Sequence, residues 1–131
     1  MTILPDTSIW VDFLRLGTQG PAAVLDRYLD DESVLVCGPV MAELLAGAGP
    51  TQVDELWLAV GSLPWAELDH AGWRHVGEVA GRLRSTGRAV PLTDVVIAVA
   101  AARAGASVWS RDEDFVRIQS ALPQLKLHLP A

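Results

Sequence analysis

Four short apolar runs, each followed by a stretch with helical spacing, leave this chain few folds to adopt. The runs are residues 2–5, 33–37, 63–68 and 107–110, the third being the weakest. Alternation of buried strands with helices builds a mostly parallel sheet wrapped by helices. Residues 125–129 have the character of an additional edge strand. The expected fold is therefore α/β, with four to five strands.

The intervening segments read as helices from their caps and breakers. Thr7 or Ser8 is expected to cap a helix over 9–15, and Pro21 to open one reaching residue 31. Gly38-Pro39 opens a third to about residue 48, and Pro50 a fourth to residue 60. In the long helix expected over 69–85, Trp73, Val76, Ala80 and Leu83 recur at three- and four-residue steps and form the buried stripe. Arg74, Glu78 and Arg82 lie opposite, and Gly87 stops the helix. Thr93 is expected to cap 94–103, which is apolar on nearly every side and so central, with Gly105 as its end. A short helix is expected to begin near Arg111-Asp112.

Composition narrows the function classes. At 131 residues, half of them apolar and 20% charged, the chain is one domain and is not disordered. Its longest apolar run, 95–102, is far too short to span a bilayer. The first residues lack a basic and apolar leader, so no signal peptide is expected and the cytoplasm is the expected compartment. Cys37 is alone, and His70, His75 and His128 form no zinc pattern. No phosphate-cradling glycine motif is present, which argues against a nucleotide-binding ATPase or dehydrogenase. Sixteen acids against ten bases give a net charge of −6, unfavourable for nucleic acid unless a metal ion neutralises some acids.

Four acids stand at special places. Asp6 ends the first strand and Asp112 lies just past the fourth, and ligands of open parallel sheets bind beyond the carboxyl ends of the strands. Asp94 opens the apolar helix, and Glu43 lies among Met41, Leu44 and Leu45 in the helix after the second strand. Each alone has a structural reading as a cap, a dipole partner or a solvated edge. Together they point to one site. Clustered carboxylates cannot all ionise without a cation, and an all-oxygen set suits Mg²⁺ or Mn²⁺. Such sites support phosphoryl chemistry.

The motifs Asp6-Thr7-Ser8-Ile9-Trp10, Pro39-Val40-Met41-Ala42-Glu43-Leu44, Pro91-Leu92-Thr93-Asp94-Val95-Val96-Ile97-Ala98 and Trp109-Ser110-Arg111-Asp112-Glu113-Asp114-Phe115 stand in this order. In that arrangement the chain resembles PIN-domain ribonucleases, specifically VapC-type toxins of toxin–antitoxin pairs. The resemblance spans essentially the whole chain, 1–131, as one PIN domain, and implies a three-layer α/β/α sandwich. It implies an Mg²⁺-dependent endoribonuclease, with Mn²⁺ able to substitute, in which Asp6, Glu43, Asp94 and Asp112 are the catalytic acids and metal ligands. Asp114 matches a second acidic position that could substitute for Asp112 or assist it, and Thr7 or Ser8 would orient water or phosphate. Glu113 departs from the family by adding an acid where many relatives carry bases.

The resemblance further implies an RNA substrate, for which Arg82, Arg84, Arg88, Arg111 and Arg15 are the candidate phosphate contacts. Trp10 and Trp109 read more readily as core than as base-stacking platforms. A small cognate antitoxin is expected in a groove walled by residues 9–16 and 53–58, with Trp57 as an exposed anchor, and a homodimer through the later helices. No membrane partner is expected.

Three other readings compete. A receiver-like phosphoacceptor domain needs an acid pair after the first strand and a lysine after the last; here Asp6 follows Pro5, and Lys126 is the sole lysine. A dehalogenase-like phosphatase needs an acid or threonine two residues after its nucleophile, where Ser8 stands. A catalytically silent PIN scaffold would not require the acids to be complete.

Overall fold

A computed structural model describes residues 1–130. The elements run β1 (Ile3–Pro5), α1 (Thr7–Leu16), α2 (Leu25–Asp30), α3 (Gly38–Gly47), α4 (Val53–Val60), α5 (His70–Ser85), α6 (Leu92–Arg103), β2 (Ser107–Trp109), α7 (Asp114–Ile118) and β3 (Lys126–Leu127). The strands form a parallel sheet in the order β1-β2-β3, with Ile3 opposite Ser107 and Val108 opposite Leu127. Helices and parallel sheet make an α/β/α sandwich, as expected.

The strand count is where the sheet departs from expectation. Residues 33–37 and 63–68 join it only through single parallel bridges, Ile3 to Val34 and Val36 to Trp65. Leu35 N–H donates to Ile3 at 2.9 Å and Ala66 N–H to Val36 at 2.8 Å, so the hydrogen-bonded surface continues past β1 without regular strands. Pro64 lacks an N–H and cannot extend a ladder. At the other edge the regular strand is Lys126–Leu127 alone; His128 N–H still donates to the Val108 carbonyl at 2.7 Å, and Leu129 is exposed.

Helix boundaries shift for local reasons. Asp6, with extended backbone, caps α1 through Oδ1, which accepts from Ile9 N–H at 3.3 Å; the helix therefore starts at Thr7, ahead of the position expected. After Pro21 the chain makes i→i+3 turns, such as Leu25 N–H to Ala22, before α2 forms. α4 begins at Val53 rather than Pro50. Pro91, not Thr93, precedes α6. Residues 110–113 form a loop rather than a helical turn, so α7 begins at Asp114.

The core gathers around α6, in which Val95 through Ala101 are all buried. α5 packs along it, and its buried stripe is Gly72, Val76, Val79 and Leu83. Trp73 is 56% exposed and Val79 fully buried, so the stripe is rotated from the one expected. Gly105, at φ 71°, leaves α6 in the left-handed region open to glycine and turns the chain into β2. No helix among the described residues is long and apolar enough to cross a membrane.

Candidate metal centre

β1 and β2 are adjacent and parallel, so their carboxyl ends share one edge of the sheet. Asp6 follows β1 and Ser110 follows β2. Asp6 is only 6% exposed. Its Oδ1 accepts from Ser8 Oγ and Ile9 N–H, and its Oδ2 from Ser110 Oγ. Burial pushes the Asp6 carboxyl above its usual pKa, and these hydrogen bonds pull against that rise. Ser110 Oγ also accepts from Asp112 N–H at 2.9 Å, and Asp112 Oδ1 from Asp114 N–H at 2.9 Å. A chain of short-range bonds thus runs from the end of β1 into the loop ahead of α7.

That loop brings Asp112 and Asp114 to Asp94 in the first turn of α6. One oxygen from each of the three lies within 4.8 Å of the others. Octahedral Mg²⁺, with bonds of about 2.1 Å, holds neighbouring ligand oxygens about 3–4 Å apart, so small side-chain rotations close this cluster on one ion. Burial, then repulsion from Asp112, Asp114 and Asp6, raises the Asp94 pKa to about 7. Arg117 Nη1 donates to Asp114 Oδ1 at 2.6 Å, and Arg111 turns to Asp12 instead. The donors are all oxygen, as a hard divalent cation requires.

The expected quartet is only partly assembled. Asp94 and Asp112 meet, and Asp114 joins them rather than replacing Asp112. Asp6 lies outside that threesome but within electrostatic range of Asp94. Glu43, exposed on α3, is held at the start of α1 by Thr7 Oγ1, which donates to its Oε1 at 2.8 Å. Glu43 and Asp6 both act on Cys37, whose thiol is pushed to about 11, first by burial and then by their charge. Thr7 and Ser8 are engaged with these two carboxylates.

The remaining candidates divide. Trp10 and Trp109 are buried, so neither offers a face to a base. Arg82 donates to the Ala121 carbonyl at 3.4 Å, while Arg84 and Arg88 are exposed near the end of α5. Ser110, Asp12 and Arg117 escape sequence reasoning, although Asp12 stands four residues after Ser8 on one face of a helix. A groove of about 560 Å³ runs between α1, α3 and α4, lined by Val11, Leu14, Leu44, Leu56 and Ala59 with Arg15 and Glu43. Its walls are those expected, with α3 added. Trp57, 48% exposed, packs against Trp65 and is not part of the lining.

A PIN domain family model matches residues 3–120. The chain belongs to the PIN-domain family. Within it the chain is similar to VapC proteins: ribonuclease VapC11 of Mycobacterium tuberculosis and a VapC ribonuclease of Mycobacterium bovis are each 33% identical over 121 residues, covering 86% of this chain and 88% of the relative. At that identity and coverage this is a VapC-type PIN protein, and the receiver and dehalogenase readings fall. The fold is also that of VapBC2 from Rickettsia felis bound to a promoter DNA fragment (TM-score 0.76, 20% identity, 98% of both chains). DNA-bound VapBC from Salmonella typhimurium is similar (TM-score 0.75, 21% identity, 98% and 97% covered).

Proposed function

We propose that this PIN protein is an endoribonuclease dependent on Mg²⁺, or Mn²⁺ in its place, and acts in the cytoplasm as the toxin of a toxin–antitoxin pair. The observation that carries this reading is the meeting of Asp94, Asp112 and Asp114 at the carboxyl edge of the sheet, with Asp94 raised to about 7. Asp94, Asp112 and Asp114 would hold the ion, with Asp6 and Glu43 completing its surroundings directly or through water. When bound, the ion supplies Lewis-acid stabilisation of charge at the scissile phosphate and of the attacking water.

The chain's own residues do the positioning. Ser8 and Ser110 fix both oxygens of Asp6, so its orientation is set before substrate arrives. Thr7 does the same for one oxygen of Glu43. Arg82, Arg84 and Arg88 supply local positive charge for the RNA backbone on a chain whose net charge is −6, while Arg111 is paired with Asp12. The groove between α1, α3 and α4 suits the apolar face of an antitoxin helix, and the relatives' VapBC complexes support such a partner. Exposed Trp73 and Leu92 on the later helices support pairing of two copies.

Asp94→Ala is the direct test. Expression of the wild type is expected to arrest growth and cleave RNA, and the variant to do neither while remaining folded. A variant that stays fully toxic contradicts the assignment.

A further inference from the structure

Asp12 takes no part in the carboxylate cluster, yet its side chain is largely enclosed. It sits on α1 with its side chain 14% exposed, and its Oδ2 is sealed from solvent with no well-directed hydrogen bond among the described residues. What compensates that oxygen is Arg111, whose Nε approaches to 3.0 Å. The contact is off-axis for a hydrogen bond, so it acts as charge against charge. A buried carboxylate oxygen without such a partner is costly. Arg111 is different, with its side chain 59% exposed. Burial does not set its position; Asp12 does.

Arg111 belongs to the loop that carries Asp112 and leads into Asp114. Around Arg111 itself, the remaining tie to α1 is long: its N–H reaches Ser8 Oγ at 3.4 Å. The loop must nevertheless hold Asp112 and Asp114 beside Asp94, with one oxygen of each within 4.8 Å of the others, so three carboxylates crowd one place. We infer that Asp12 is a positioning residue: through Arg111 it clamps the 110–114 loop onto α1 and thereby sets the affinity of the Asp94–Asp112–Asp114 cluster for a divalent cation. One rigid helix then presets both halves of the site, capped on Asp6 at its start and anchoring the loop from Asp12. This inference rests on the proposed metal role of the cluster.

The sign of one substitution separates positioning from simple electrostatics. Removing the positive charge of Arg111 makes the local field more negative, which alone would tighten cation binding. Loss of the clamp would weaken it. Mn²⁺ titrated calorimetrically into the intact, metal-stripped protein reads this without any activity assay. Arg111→Gln and Asp12→Asn are each expected to weaken Mn²⁺ binding by about tenfold or more, the scale at which groups orienting metal ligands act. The double variant is expected to be no worse than either single one, because both remove the same contact. Asp54→Asn, on the exposed side of α4, controls for net charge and is expected to leave affinity unchanged. Arg111 is exposed enough that its variant folds even if Asp12→Asn does not. Unchanged or tighter binding by Arg111→Gln, or additive losses in the double variant, overturns the inference. Failure of the wild type to bind Mn²⁺ instead overturns the metal reading beneath it.

Discussion

Asp94 shows at the scale of one residue how the site is balanced. Its pKa is raised from 3.8 to about 7, so the folded protein holds a proton on this group where the unfolded chain has released it. Stability of the ion-free protein is therefore expected to fall as pH rises from about 4 to about 7, and to level off above that. Thermal melts in EDTA across this range should show a steeper slope in the wild type than in Asp94→Asn, which keeps only the part due to other raised carboxyls such as Asp6; equal slopes would contradict the assignment. Cys37 offers a second residue-scale check. Its thiol is buried and pushed to about 11, so it is expected to resist iodoacetamide until the chain is unfolded. The acids themselves were legible in the sequence because strand ends and helix starts fix their placement. Asp12 and Ser110 were not, since their meaning lies in contacts across about a hundred residues of chain.

At the scale of elements, α1 depends on Asp6 as its cap, and the same residue is one of the proposed site acids. Asparagine caps as well as aspartate, whereas alanine loses about 1 kcal/mol. Asp6→Ala is thus expected to cost about 1 kcal/mol in urea unfolding, and Asp6→Asn only a few tenths. Both should abolish cleavage, which separates the two roles. α6 was readable as central from its unbroken apolar character, and Val95 to Ala101 are buried accordingly. Trp73 was assigned to the wrong face of α5 because its three-residue step to Val76 fits two rotations of the stripe equally. Val79, fully buried, decides between them through packing on α6 that no local spacing encodes. The segments at 34–36 and 65 kept the expected direction but not regular strand form, since Pro64 withholds a donor there.

Across the whole molecule, the groove and the acidic edge of the sheet are neighbours: Glu43 lines the groove, and its Oε1 accepts from Thr7, the residue after Asp6. An antitoxin helix seated in the groove, as proposed, would lie against that edge. Leu14, half exposed on the groove wall, can carry a charge without disturbing the core. Leu14→Glu is expected to abolish co-purification with the cognate antitoxin while leaving RNA cleavage intact; retained binding would remove the groove from consideration. Overall architecture and the acidic edge were legible because alternating strands and helices in a parallel sheet bring strand ends to one place. The way Asp112 and Asp114 both reach Asp94 was not, because they are delivered by a loop whose shape depends on Ser110, Ser8 and Asp12.

The measurement that bears most directly on the carboxylate cluster as a nuclease centre is mapping of new 5′ ends in total RNA. Purified, antitoxin-free protein would be incubated with Mg²⁺ or Mn²⁺, beside EDTA and Asp94→Asn controls. Discrete cuts that need both the ion and Asp94 are expected. Cuts that persist in EDTA or in Asp94→Asn, or none from folded protein given RNA of its native host, would contradict it.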